Sequence, residues 1–60
     1  MKVTTHKNGA YTSFEKSLPS GMYTVKAYSP AGALIDKVRC DDYREALAYL
    51  RAFNAIARNA

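Results

Sequence analysis

The sequence predicts an α+β fold, a small antiparallel sheet of two hairpins (three to four strands) covered by one C-terminal α-helix. Three observations carry that reading. Two turn signatures, Asn8-Gly9 and Pro30-Ala31-Gly32, each lie between residues of strand character. The stretch from Asp41 to Arg58 has apolar residues at helical spacing. A hydrophobic fraction of 48% with seven aromatic residues separates the chain from disordered sequences, which are poor in both. Residues 1–60 read as one α+β domain. A domain this short buries only about 60% of the surface its unfolded form exposes, so a second copy would add needed stability.

The first turn signature sets the first hairpin. Asn-Gly suits a two-residue type I′ turn, in which both central residues need positive φ. Counting outward places Lys7 opposite Ala10, His6 opposite Tyr11, Thr5 opposite Thr12, Val3 opposite Phe14 and Lys2 opposite Glu15. Ser17-Leu18-Pro19-Ser20-Gly21 is a loop, too short to separate domains. The second hairpin joins Met22–Ser29 to Ala33–Arg39, with Pro30 presetting φ at the first turn position and Gly32 at a left-handed bulge site. If Ser29 faces Ala33, then Tyr28 meets Leu34, Ala27 meets Ile35 and Lys26 meets Asp36. Tyr23, Val25, Ala27 and Ile35 make the better helix-facing side, while Thr24, Lys26, Tyr28, Leu34, Asp36 and Val38 make a mixed one.

Asp42 is the expected helix N-cap. Glu45 follows three residues later in a capping-box arrangement, and the clustered acids suit the positive end of the helix dipole. Tyr43, Ala46, Leu47, Tyr49, Leu50, Phe53, Ile56 and Ala57 spread over roughly half the helix circumference, more than one sheet contact requires. That width is a second argument for a homodimer. The other half carries Arg44, Arg51 and Arg58 in one row of about 21 Å, beside Ala48, Ala52 and Ala55.

Composition narrows the function classes. Nine Lys and Arg against five Asp and Glu leave a net charge of +4, which favours acidic partners. Four of the five acids (Asp36, Asp41, Asp42, Glu45) fall within ten residues, so the remainder is almost purely basic. No apolar run approaches the roughly 18 residues of a membrane span, and the polar N-terminal residues hold no signal core, so a cytoplasmic location is expected. One cysteine and one histidine leave neither a disulfide nor a structural zinc set. Cys40 reads as a small buried hydrophobe rather than a nucleophile, and Asp41 and Asp42 read as caps rather than metal ligands. The expectation is therefore a non-enzymatic binding module with no cofactor, metal or small-molecule substrate. Its candidate contact residues are Arg44, Arg51, Arg58, Lys26, Lys37, Arg39 and Tyr28, and its expected partner is nucleic acid or an acidic protein surface.

Strand, strand, Asp-rich cap and Ala-rich helix follow one another over residues 22–58, an order that resembles the layout of AP2-type and integrase arm-binding domains. That resemblance implies a sheet that reads the DNA major groove. It carries no residue roles, because the tryptophans and dense strand arginines of AP2 domains are absent. In size and style the chain is also similar to phage-encoded inhibitors, anti-CRISPR proteins among them. The alternative function is thus a phage- or mobile-element-type inhibitor that occludes a host protein complex through tyrosine and arginine anchors.

Overall fold

The computed structural model describes residues 2–60, in which alternating apolar and polar residues build four strands and a helical repeat builds one helix. The strands are β1 (Lys2–Thr5), β2 (Tyr11–Lys16), β3 (Tyr23–Tyr28) and β4 (Leu34–Cys40), and the helix α1 covers Tyr43–Arg58. Each strand pairs antiparallel with its predecessor, so the sheet has the order β1-β2-β3-β4. The architecture is the α+β arrangement expected.

The first hairpin departs from the expected turn. His6 N–H donates to Ala10 O (2.8 Å) and Gly9 N–H to His6 O (3.0 Å), which closes a three-residue loop, Lys7-Asn8-Gly9. Only Gly9 has positive φ there (92°), so the two-residue type I′ turn does not form. The physical reason lies in Asn8. Its Oδ1 accepts from Ala10 N–H (2.9 Å) while its Nδ2 donates to Ala57 O (2.9 Å) and Ala60 O (3.1 Å). One side chain thus stabilises the turn and satisfies carbonyls at the helix C-terminus. The longer loop moves the register by one residue, to Thr5↔Tyr11, Thr4↔Thr12, Val3↔Ser13 and Lys2↔Phe14. The expected Lys2–Glu15 and Val3–Phe14 pairs are therefore absent.

The second hairpin begins as expected. Ser29 N–H donates to Ala33 O, Gly32 takes φ 88°, and Tyr28 faces Leu34. A bulge between Ala27 and Tyr28 then inserts Ile35 as an extra residue, so Asp36 faces Ala27 and Lys37 faces Lys26. The expected Lys26–Asp36 pair is replaced by two lysines. The bulge also reassigns the faces: Val38, opposite Val25, and Cys40, opposite Tyr23, join the helix side, while Ile35 stays 40% exposed.

The core comprises Val25, Ala27, Cys40, Ala46 and Phe53, with Phe14, Tyr23, Val38 and Leu50 packed against it. The helix lies mainly across β3, with β2 and β4 on either side. Fully buried Ala27, Ala46 and Ala57 allow close approach of helix and sheet. Burying Phe53 contributes roughly 2–3 kcal/mol. Asp42 is the N-cap, as expected, and its carboxylate accepts from Arg44 N–H (3.2 Å) rather than from the Glu45 N–H of a capping box. Thr12, buried on the helix side of β2, donates its hydroxyl to Asn54 Oδ1 and ties the first hairpin to the helix a second time. The apolar arc of the helix is wider than the sheet covers, for Tyr49 remains 37% and Ile56 41% exposed.

Candidate functional site on the open face of the sheet

Strand alternation puts every second residue on the face away from the helix. Three rows cross it. Tyr11, Tyr28 and Leu34 form the row nearest the hairpin tips; Val3, Ser13, Lys26 and Lys37 form the middle row; Glu15, Thr24 and Arg39 form the third. Tyr11 and Tyr28 stand directly opposite one another, their rings stacked at 4.6 Å and 18°. Such a pair contributes about 0.5–1.5 kcal/mol beyond its buried area. The rings and the middle row surround a shallow cleft of about 200 Å³ lined by Val3, Tyr11, Ser13, Glu15, Thr24, Lys26 and Tyr28.

Charge is unevenly divided between the two faces. Lys26, Lys37 and Arg39 against Glu15 give the open face three positive groups and one negative. Asp36 points to the helix side, and Asp41, Asp42 and Glu45 lie at the helix N-terminus. Directly opposed like charges destabilise a sheet, so the Lys26–Lys37 pair breaks a local rule of strand pairing. Such breaches cluster at functional positions. Among the described residues, no lysine or arginine side chain takes part in a side-chain hydrogen bond.

The candidate residues thus fall into two groups. Lys26, Lys37, Arg39 and Tyr28 come together on the open face. Arg44, Arg51 and Arg58 are exposed on the helix, about 100° or more round its axis from buried Ala46, Phe53 and Ala57. They face away from the sheet, so no single flat partner touches both groups. Sequence reasoning missed Tyr11, Ser13, Glu15, Thr24 and Val3 as members of the open-face site. Tyr11 faces Tyr28 through the β2–β3 register, which the Ser17–Met22 loop closes, so the signal lay in counting outward from that loop as well as from the two glycine turns.

The remaining reactive groups do not form a second site. Cys40 closes the row shared with Tyr23 and Lys16, whereas His6 lies opposite Ala10, beyond the Tyr11–Tyr28 row, about 20 Å along the strands at roughly 3.3 Å per residue. They cannot act as a nucleophile and base. Burial, and then the charges of Glu45, Asp41 and Asp42, raise the Cys40 thiol above its usual value of 9.0, so the inert thiol is favoured. Tyr23 and Tyr43 pack with Phe14 on the helix side, with Lys16 Nζ 5.7 Å from the Tyr23 ring centre. No family model, curated protein or solved structure matches the chain, so no residue role is transferred from a relative.

Proposed function

We propose that the protein is a non-catalytic binding module that contacts nucleic acid through the open face of its sheet. The observation that carries this reading is the β4 bulge. It turns Asp36 to the helix side and sets Lys37 beside Lys26, one row from Arg39. Three cations held close together on a rigid surface suit a line of phosphates, and the tyrosine pair beside them offers rings to bases or sugars. The contact is mainly to the backbone, because lysine and arginine groups there bind phosphate without strict geometry. The helix arginines serve as a separate basic surface in this reading.

The test is a salt titration of binding to mixed-sequence single-stranded and duplex DNA. Log affinity should fall linearly with log salt, with a slope of roughly −2 to −3 for three phosphate contacts. Absence of binding to either form at low salt would overturn the proposal. A second reading, an inhibitor that occludes a protein complex, is favoured by the exposed Tyr49 and Ile56 on one side of the helix. Its binding would change little over the same salt range and would disappear on replacing those two residues.

A further inference from the structure

The cleft on the open face goes beyond general phosphate attraction. At about 200 Å³ it is smaller than the roughly 300–1,000 Å³ sites that hold drug-sized ligands. Its walls are of different kinds. The stacked rings of Tyr11 and Tyr28 stand at one end, and Glu15 and Thr24 lie at the other, two residues beyond Ser13 and Lys26. Val3 closes the β1 side, and Ser13, 9% exposed, sits low between the strands. Neither Glu15 nor Lys26 takes part in any side-chain hydrogen bond of the described residues, although both line the cleft.

An aromatic wall, an acceptor-only carboxylate and an ammonium in one small cleft match the parts of a nucleotide. A base presents a π-face to the rings, its hydrogen-bonding edge faces polar groups, and its phosphate lies near a cation. We propose that this cleft holds one unpaired nucleobase of a single strand, with guanine preferred. The inference rests on the nucleic-acid reading above and deepens it. A base inside a duplex cannot reach the rings, so the single strand is the favoured form. Guanine is favoured because its ring N–H and exocyclic amino group lie side by side, and a carboxylate accepts from both at once. Cytosine and adenine offer one amino group each. Thymine offers one N–H between two carbonyls, which a carboxylate repels.

The experiment is a fluorescence-anisotropy titration at low salt with three probes. They are an oligothymidine of about a dozen nucleotides, the same strand with one central guanine, and that guanine strand annealed to its complement. The guanine strand should bind about fivefold tighter than oligothymidine, and the duplex more weakly than either. Glu15→Gln should close the gap between the two single strands, weakening the guanine strand and tightening oligothymidine as the carboxylate that repels its carbonyls disappears. Tyr11→Leu, with its fold checked by melting curve, should weaken both single strands by about fivefold or more. Should Tyr11→Leu fail to fold, exposed Glu15 still decides through its own variant. Equal binding of the two single strands, or a duplex bound at least as tightly, overturns the cleft proposal and leaves the nucleic-acid reading standing. Failure of all three probes overturns both.

Discussion

On β3, Val25 and Ala27 are fully buried beneath the helix, while Lys26 and Tyr28, their immediate neighbours, stand partly exposed on the opposite face. The same contrast runs across β2, where Phe14 packs into the helix-side core and Ser13 and Glu15 line the open cleft. One face removes apolar surface from water and holds the fold together. The other contributes little burial and gathers like charges that a stability-driven sheet would separate. The comparison teaches that stability and, on the proposed reading, binding are assigned residue by residue along the same strands. The two can therefore be disturbed independently.

The largest effect is expected on the covered face. Phe53→Ala should lose about 3–5 kcal/mol, much of what a domain of this size possesses, and urea denaturation would measure it. An unchanged midpoint would mean that the helix side is not the main core.

Next comes the tie between first turn and helix end. Asn8→Ala should lower stability by roughly 1–2 kcal/mol, because the turn and the helix carbonyls lose their shared partner. Asn8→Asp separates this role from a simple turn preference. Aspartate suits an Asx-type turn equally well, but it cannot donate and places negative charge at the negative end of the dipole. A neutral Asn8→Asp would remove the cap from the account.

On the open face, replacing Lys26, Lys37 and Arg39 together with Gln should weaken nucleic-acid binding about tenfold, equivalent to ~1.4 kcal/mol. The salt slope should shrink by roughly 0.7–0.9 for each phosphate no longer held. The melting temperature should hold or rise slightly as the Lys26–Lys37 repulsion disappears. A large drop in melting temperature would blur the division between the faces.

Cys40→Ser should cost about 1 kcal/mol, the effect of a hydroxyl in a buried apolar position. The sign of its pH dependence follows from the raised thiol pKa. The folded protein holds the proton more tightly than the unfolded chain, so this stability is complete below pH 9 and is lost as pH rises toward the folded value. The serine variant should lack that alkaline decline in a pH series of melting curves. Replacing Arg44, Arg51 and Arg58 with Gln is the smallest change expected, within about 0.5 kcal/mol of stability. Its effect on nucleic-acid affinity should fall well below that of the open-face variant. A larger drop in affinity from the helix variant would move the contact surface to the helix.

Much of the architecture was legible in local signals. The helix at Tyr43–Arg58, its Asp42 cap, the glycine positions of both hairpin turns and the meaning of the Ser17–Gly21 loop depend on neighbours within a few residues. Of the open-face site, Lys26, Lys37, Arg39 and Tyr28 could be chosen by chemistry alone. Tyr11, Ser13 and Glu15 could not, because their company depends on the strand register.

Register was decided by distant contacts. Asn8 makes the first loop three residues long and reaches carbonyls 49 and 52 positions away, and that one residue changes every pair between β1 and β2. The bulge at Ile35 brings Val38 and Cys40 under the helix and leaves Lys37 beside Lys26. Likewise, only packing separated the arginine row from the strand lysines, because the helix must bury Phe53 and Ala57 and so turns Arg51 and Arg58 outward. Secondary structure came from the chain's local chemistry. Which side chains meet on one surface came from tertiary packing, since a strand's faces reverse with a single residue of slip and no local preference resists it.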